Sequence, residues 1–353
     1  MSIKTKKIKA GSLIIGGGAP ITVQSMTNVD THNYDAAYAQ TRALQDAGCD
    51  IVRLAVPDIE AAETIRKLKC SDLSVPLVAD IHFDYKIALA CAEAGVDKIR
   101  INPGNIGSRE KVAEVVKACR ERSIPVRIGV NSGSLRREIL EKYGSPTAEA
   151  LAESAMEHVH ILEDLNFDDI VVSIKSSDVR TMINANRILH ETCDYPLHIG
   201  VTEAGSAHMG TLKSAVGIGS LLCDSIGDTI RVSLTADPIL EVKEGKALLA
   251  ALGLGESRLV DIVSCPTCGR TKIGLIDLVS RFEEEYLPKL HPSRKIKVAL
   301  MGCAVNGPGE AREADIGIAG GNEEALIFKK GVPLYKVPEA DVLRVLCDEI
   351  NLM

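Results

Sequence analysis

The sequence contains no tryptophan, and its aromatic residues amount to only 3% of the chain. Proteins that bind single-stranded nucleic acid stack bases on aromatic side chains, so this scarcity disfavours that class. Basic residues are not in excess either, because 41 lysines and arginines stand against 48 aspartates and glutamates, for a formal net charge of −7. We therefore expect no nucleic-acid partner.

Long apolar segments are also missing. No run approaches the roughly 20 residues that a membrane-spanning helix needs. The amino-terminal segment is basic but has neither the apolar stretch nor the cleavage site of a secretory signal. Ten cysteines in 353 residues are too few for a disulfide scaffold, and close pairs are then more typical of metal ligands. These features predict a cytoplasmic protein with no membrane partner.

Short β-branched segments recur through the first 235 residues, as expected for strands buried on both faces. Eight are present, at residues 20–26, 51–57, 76–81, 98–103, 125–131, 169–176, 196–203 and 229–235. Helical patterns separate them, for example at 34–48 and 148–165. Eight strand–helix units in about 250 residues predict an α/β fold, a (β/α)8 TIM-type barrel, with an open doubly wound sheet as the alternative. Residues 1–19 predict a small hairpin at the bottom of the barrel.

The alternation of strands and helices stops near residue 253, where GLGES is a candidate linker. The remaining chain predicts a helix at 273–287, a strand at 295–302, short strands near 314–320 and a terminal helix near 338–351. We therefore expect two domains: a TIM-type barrel over residues 1–255, and a small α+β domain over residues 256–353.

Cationic side chains interrupt five of the otherwise apolar strands, and reactive residues of such barrels lie at the carboxyl ends of strands. The cations are Arg53, Arg100, Arg127, Lys175 and Arg231. The two acids predicted at that end, Asp80 and Glu203, cannot neutralise all five, and an unpaired buried cation is costly. A diphosphate or multi-phosphate ligand would supply the missing charge, because guanidinium groups suit phosphate oxygens. The alternative is a ring of arginine–carboxylate pairs completed from the loops.

Other polar residues follow the same strand ends. Glu203 is a candidate proton donor, or simply the partner of an arginine. His82 and His198 are candidates for catalysis or for hydrogen bonding in the wall of the site. The loop at 101–110 could place backbone amides near a phosphate, or could be an ordinary turn.

Three cysteines are grouped in the second domain. Cys265 and Cys268 form a C-P-T-C motif, and Cys303 follows 35 residues later in a loop rich in glycine and proline. Thiols at this spacing can bind one metal centre, and a zinc ribbon would need a second such motif. With the nearby carboxylate of Glu310, the set suggests an iron–sulfur cluster that has one exchangeable ligand.

Seven segments, in order along the chain, carry a resemblance to a known family. They are PITVQSMTN, ADIHF, IRINPGNIG, PVRIGVNSGSL, LHIGVTEAG, SCPTCGRT and GCAVNGPGEA. Together they resemble the 4-hydroxy-3-methylbut-2-enyl diphosphate synthases of non-mevalonate isoprenoid biosynthesis, in the short bacterial two-domain form. The resemblance extends over the whole chain.

The resemblance implies an iron–sulfur oxidoreductase. It would open the ring of 2-C-methyl-D-erythritol 2,4-cyclodiphosphate reductively and remove water, giving 4-hydroxy-3-methylbut-2-enyl diphosphate. Two electrons would arrive one at a time from flavodoxin or ferredoxin through a 4Fe–4S cluster. The family forms homodimers in which the cluster domain of one subunit covers the barrel mouth of the other.

Residue roles follow from the same resemblance. Cys265, Cys268, Cys303 and Glu310 would hold the cluster, and Glu203 would be the proton donor. The substrate-binding candidates, from the strand ends and the resemblance together, are Arg53, Asp80, His82, Arg100, Arg127, Asn131, Lys175, His198, Arg231, Ser233 and Asn306. The alternatives are a hydro-lyase without redox chemistry, a zinc-binding structural or nucleic-acid module, and a pterin-binding barrel.

Overall fold

The protein is described by a computed structural model that covers residues 5–255, 259–304 and 311–353. The chain forms two compact units, Met1–Gly255 and Glu256–Met353. Among the described residues, no helix combines the length and apolar character needed to cross a bilayer.

The first unit begins with an antiparallel hairpin of two strands, β1 (Ile8–Ala10) and β2 (Leu13–Ile15). Ala10 and Ile15 pack in one apolar cluster with Ile51 and Val78, which lie at or near the amino ends of two barrel strands. The hairpin therefore covers the amino-terminal end of the barrel, as the sequence predicts.

Eight parallel strands follow. They are β3 (Thr22–Met26), β4 (Ile51–Ala55), β5 (Leu77–Asp80), β6 (Lys98–Ile101), β7 (Val126–Asn131), β8 (Ile170–Lys175), β9 (His198–Ile199) and β10 (Thr229–Ile230). Their order is β8-β7-β6-β5-β4-β3-β10-β9. A parallel bridge between Val172 and Leu197 joins the two ends of this sheet. The predicted barrel is confirmed, and the open doubly wound sheet is excluded.

Helices connect these strands. They are α1 (Tyr34–Asp46), α2 (Ile59–Lys69), α3 (Tyr85–Glu93), α4 (Pro103–Ile106), α5 (Arg109–Glu121), α6 (Arg137–Tyr143), α7 (Ala148–Glu163), α8 (Val179–Thr192), α9 (Ala207–Cys223) and α10 (Pro238–Ala251). Several begin at side chains that accept a hydrogen bond from a backbone amide of the first turn, among them Asn33, Asp58 and Thr147. Such caps satisfy amides that have no partner within the helix.

The two faces of the barrel strands differ in polarity. Val52, Leu54, Ile99 and Ile101 belong to the main apolar core with the helices. Because side chains alternate across a strand, the residues between them point into the barrel. These inward positions include Arg53, Lys98, Arg100 and Arg127, where branched apolar residues usually stack in layers. The barrel interior is therefore polar and cationic.

The second unit is a five-stranded mixed sheet with helices. Its strands are β11 (Val260–Ser264), β12 (Ile296–Met301), β13 (Ile316–Gly320), β14 (Glu324–Lys329) and β15 (Val332–Pro338), paired in that order. The first three are parallel, and the last three are antiparallel. Helix α11 (Leu275–Arg281) continues into a π-helical turn, and α12 (Val342–Asn351) follows β15. The sequence pattern predicts β12, β13 and the helices but not β11, β14 or β15.

Candidate functional site

Asp80, at the end of β5, brings together three other predicted site residues. Its carboxylate lies 3.0 Å from Arg100 Nη1, 3.7 Å from Arg53 Nε and 3.6 Å from His82 Nε2. Burial alone would raise the pKa of Asp80, but the charge of Arg53, the hydrogen bond with His82 and the charge of Arg100 outweigh it and lower the pKa. Asp80 is therefore an ionised anchor for the cations of neighbouring strands.

A second buried carboxylate at this end belongs to Glu241 of α10, which the sequence analysis does not identify. Glu241 is 3% exposed. Its two oxygens accept hydrogen bonds from Arg231 Nε and Nη2, both at 3.2 Å, and from Ser25 Oγ at 2.8 Å. The amide of Leu234 donates to the same carboxylate at 3.1 Å. Glu241 thus fixes Arg231 from the helix that follows its strand.

Two of the predicted cations have no carboxylate partner among the described residues. Arg127 is 2% exposed, and its Nε and Nη1 make no hydrogen bond. Burial lowers the pKa of Arg127, and the charges of Arg53 and Arg100 lower it further. Lys175 is 7% exposed, and burial likewise lowers its pKa. Asp80 acts favourably on Arg127 and Glu241 on Lys175, but burial and the neighbouring cations outweigh both, so the two side chains are desolvated without full charge compensation.

Two glycines leave space for cationic side chains of the barrel mouth. A methyl group at Gly129 of β7 would lie 2.5 Å from Arg100 Nε. A methyl group at Gly200, just after β9, would lie 3.2 Å from Lys175 Nζ and 2.4 Å from the carbonyl oxygen of Arg231. A side chain at position 129 would therefore displace Arg100, and one at position 200 would clash first with the backbone of Arg231.

The charges of the barrel mouth do not balance. Five predicted cations are opposed by the buried carboxylates of Asp80 and Glu241, which leaves an excess of three positive charges among the described residues. The alternative, a ring of complete arginine–carboxylate pairs, is therefore not present among the described residues. A polyanionic ligand with phosphate groups fits such a site, because guanidinium forks bind phosphate oxygens in pairs.

His198 lies on the inner wall of the barrel. It is 0% exposed, and neither ring nitrogen has a partner among the described residues. Burial strongly lowers the pKa of His198, and the charges of Arg127 and Lys175 lower it further, so the ring is neutral. A neutral imidazole can donate one hydrogen bond and accept another.

Glu203 lies in the loop between β9 and α9. Its side chain is exposed, and no cation of the described residues pairs with it. Its backbone has φ +50°, in the left-handed region that favours glycine, and Gly205 follows with φ +101°. Such a conformation is uncommon for a glutamate and persists where the surrounding structure holds it.

The remaining barrel candidates occupy the same end. Asn131 ends β7, and Ser233 follows β10; both are half-buried. In the loop after β6, the amide of Gly104 donates to Asn102 Oδ1 at 3.1 Å, as in an ordinary helix cap. Asn306 lies outside the described residues.

The cysteine motif lies at one edge of the second sheet. β11 and β12 are parallel neighbours, with Ser264 opposite Leu300, so the segments after both strands leave the sheet together. Cys265 follows β11 and Cys303 follows β12. The amide of Cys265 donates to the carbonyl of Leu300 at 3.3 Å, and the amide of Gly302 donates to Cys265 Sγ at 3.2 Å. The structure therefore brings Cys265 against the residue that precedes Cys303.

The environment of these thiols suits thiolate ligands. A backbone hydrogen bond from Arg270 lowers the pKa of the Cys268 thiol, and the Arg270 charge lowers it further. Amide hydrogen bonds to sulfur, like that at Cys265, tune iron–sulfur centres. No three potential metal ligands converge within residues 5–255, 259–304 and 311–353. Glu310, the predicted fourth ligand, lies outside these residues. The donor set itself fits an iron–sulfur cluster.

Comparison with known proteins identifies the family. Residues 5–246 match the GcpE TIM-barrel domain, and residues 261–352 match the GcpE protein C-terminal domain. A Clostridium perfringens protein is 57% identical over 344 residues, covering 97% of each chain. Relatives from Ruminiclostridium cellulolyticum and Geobacillus thermodenitrificans are 56% and 55% identical, each over 99% of this chain and over 98% and 92% of their own. All three are named 4-hydroxy-3-methylbut-2-en-1-yl diphosphate synthase (flavodoxin).

A solved structure with low sequence identity also aligns with part of this chain. A Plasmodium falciparum HPPK-DHPS aligns over 70% of this chain and 50% of its own, with a TM-score of 0.50 and 14% sequence identity. At that identity the similarity concerns the fold and gives no support to a pterin-binding function.

Proposed function

This chain belongs to the GcpE family of 4-hydroxy-3-methylbut-2-en-1-yl diphosphate synthases, and on that basis we infer that it is an iron–sulfur oxidoreductase of isoprenoid biosynthesis. It converts 2-C-methyl-D-erythritol 2,4-cyclodiphosphate into 4-hydroxy-3-methylbut-2-enyl diphosphate. Counted on the free acids, two electrons and two protons enter, a carbon–oxygen bond of the ring breaks, and one oxygen leaves as water. Flavodoxin supplies the electrons, as the names of the relatives state; ferredoxin is the other donor class that the family resemblance implies.

The excess of positive charge in the barrel mouth is the observation that carries the substrate assignment. Arg127 and Lys175 are buried, and neither forms an ion pair with a carboxylate of the described residues. A cyclic diphosphate carries one negative charge on each phosphorus, and binding it here would pair those charges with the free cations. Asp80 and Glu241 would hold Arg53, Arg100 and Arg231 in place around the ligand.

The cofactor that fits the second unit is a 4Fe–4S cluster. Cys265, Cys268 and Cys303 would hold it, with Glu310 as the fourth ligand. When bound, the cluster supplies single electrons and a Lewis-acidic iron. The chain itself supplies the hydrogen bond from Gly302 to Cys265 Sγ and the contacts of Arg270 that favour the Cys268 thiolate.

Glu203 is the proposed proton donor. Its side chain is exposed and forms no ion pair within the described part of the chain, so its carboxyl is available to a ligand. The backbone of Glu203 has a left-handed conformation, which a glutamate in an unconstrained loop rarely adopts. A positioned acid assists loss of hydroxide by giving its proton to the departing oxygen, so that water leaves instead.

Assembly, location and the division of labour are further parts of this proposal. We propose a cytoplasmic homodimer in which residues 1–255 bind the cyclic diphosphate and residues 256–353 carry the cluster. The family resemblance supports the dimer, and the separate positions of the cations and the cysteines in the two compact units support the division. Sedimentation of the intact protein at micromolar concentration measures the assembly directly.

Replacement of Arg127 by methionine tests the substrate site. Methionine keeps the length and apolar packing of the side chain but removes its charge and donors. A charge-assisted hydrogen bond contributes about 1.5–3 kcal/mol, so loss of the guanidinium is expected to weaken cyclic diphosphate binding about 10- to 150-fold. Calorimetric titration of the oxidised holoenzyme measures this, and Arg137→Met on the exposed surface is the matched control. An affinity within threefold of the parent, with folding and iron content intact, would contradict the proposed site.

A further inference from the structure

Lys98, the first residue of β6, is a buried lysine that the proposed mechanism does not use. Its side chain is 0% exposed, and its Nζ has no hydrogen-bond partner among the described residues. Lys98 and Arg100 are two residues apart on one strand, so both point into the barrel. Lys98 lies about 6–7 Å farther from the mouth, because a strand advances about 3.3 Å per residue.

The charges that act most directly on Lys98 are those of two arginines. Arg127 of β7 and Arg53 of β4 both act on it electrostatically, and the neutral ring of His198 on β9 is also within its field. The remaining charges facing the barrel interior are Asp80 on β5, Arg100 on β6, Lys175 on β8, Arg231 on β10 and Glu241 on α10. Both carboxylates in that set are already paired with arginines.

An ammonium group at this position would be desolvated, unpaired and close to two arginines. Burial lowers the pKa of Lys98 well below its ordinary value, and the charges of Arg127 and Arg53 lower it further. An amine avoids this penalty by losing its proton, which a guanidinium cannot do. Lys98 is thus an amine deep in the barrel whose charge can adapt to the occupancy of the mouth, as can that of Lys175 nearer the mouth.

We propose that Lys98 is uncharged in the ligand-free barrel and takes up one proton from solvent when a diphosphate occupies the mouth above it. The argument rests on the proposed function, because the ligand must bring its negative charges to Arg53, Arg100 and Arg127. Those charges offset the arginine field that disfavours the ammonium form. The proton goes to Lys98 Nζ, and no bond of the ligand is made or broken. Lys98 then adds its own charge to the attraction that holds the diphosphate.

Proton uptake has a definite sign. A group protonated only in the complex makes affinity fall as pH rises, by up to about tenfold per pH unit for one proton. The slope extends from the pKa of Lys98 in the free protein up to its pKa in the complex. The cyclic diphosphate adds no slope of its own near neutral pH, because each phosphorus carries a single strongly acidic hydroxyl.

Calorimetric titration counts the protons. The cyclic diphosphate is titrated into oxidised holoenzyme, without reductant, in two non-phosphate buffers of different ionisation enthalpy at about pH 8. The difference in observed enthalpy gives the protons taken up per ligand bound. Lys98→Met removes the titrating amine at nearly constant length, and Lys117→Met, on the exposed face of α5, is the control. Because methionine replaces an unpaired buried amine, we expect the melting temperature of Lys98→Met to equal or exceed that of the parent; Lys98→Leu is the second variant.

We expect Lys98→Met to take up about one proton fewer per ligand bound than the parent. Its affinity should also lack the fall of up to about tenfold per pH unit that the parent shows. Lys117→Met should change neither the proton uptake nor the pH dependence of the affinity. Equal uptake in the parent and in both Lys98 variants would overturn the proposal. A parent protein that does not bind the cyclic diphosphate at all would instead refute the proposed function.

Discussion

Replacement of Glu241 by glutamine tests whether this helix carboxylate holds the cationic mouth together. Glu241 accepts hydrogen bonds from Arg231, Ser25 and the amide of Leu234, and it is buried. Glutamine keeps the volume of the side chain but loses its charge. Only its oxygen can accept a hydrogen bond, so the bidentate contact with Arg231 is lost. The largely buried guanidinium of Arg231 then has no carboxylate partner among the described residues.

The expected size of this effect follows from the geometry. Removing one partner of a buried ion pair destabilises a protein by about 3–5 kcal/mol, and the lower end applies because glutamine can keep the Leu234 and Ser25 contacts. For a unit of 255 residues, each kcal/mol corresponds to about 2–4 °C, so the barrel transition is expected to fall by about 6–12 °C. Binding of the cyclic diphosphate is expected to weaken as well, because Arg231 loses its fixed position.

Thermal unfolding followed by circular dichroism measures the first effect, and calorimetric titration measures the second. Glu244→Gln is the matched control, because Glu244 is a half-buried glutamate on the same helix with no ion pair among the described residues. A melting temperature of Glu241→Gln within about 2 °C of the parent would refute the reasoning, since the bidentate contact would then contribute little.

Two further predictions concern the same end of the barrel. Gly129→Ala places a methyl group 2.5 Å from Arg100 Nε, whereas the methyl group of Gly133→Ala meets nothing within 4 Å. We expect only Gly129→Ala to weaken diphosphate binding, by about tenfold, which corresponds to the loss of one charge-assisted hydrogen bond. Equal affinities of the two variants would show that binding does not require Arg100 in its present position. Hydrogen bonds that the His32 ring donates to the carboxylate of Asp30 and then to that of Asp58 raise the pKa of His32 to about 8. This contact between two loops therefore contributes stability below about pH 6.5 that is lost as pH rises through about 8. An NMR titration of His32 with a midpoint near 6.5 would contradict this contact.

The sequence allowed the barrel to be predicted because each strand is short, apolar and separated from the next by a helical pattern. The last two strands are the exception in length: β9 and β10 comprise two residues each, so Glu203 lies in a loop rather than at a strand end. That loop conformation depends on tertiary contacts, which a one-dimensional pattern does not contain. The exposure of Glu203 likewise could not be read from its position after a β-branched segment.

Site residues at the carboxyl ends of the barrel strands could be predicted from the sequence, whereas those elsewhere could not. Glu241 escaped notice because it lies on a helix, three residues after Pro238, and only the fold brings it to Arg231. Lys98 is the first residue of its strand, far from the mouth. Only the structure shows that it points into the barrel and that its Nζ has no hydrogen-bond partner among the described residues.

In the second unit, β14 and β15 could have been found from a local signal. They are joined by Lys330 and Gly331, both with positive φ, which is typical of a tight hairpin turn. The many exposed residues of β15 hide the alternation by which a strand is usually identified.

The most direct test of the central claim is product analysis with the anaerobically purified holoenzyme. The protein, with about four irons per chain as expected for one 4Fe–4S cluster, is incubated with the cyclic diphosphate and reduced flavodoxin, and phosphorus NMR follows the products. The account predicts 4-hydroxy-3-methylbut-2-enyl diphosphate, with two electrons consumed per molecule formed and none formed without the reductant. Unchanged substrate under these conditions, or product formed equally well without reductant, would contradict it.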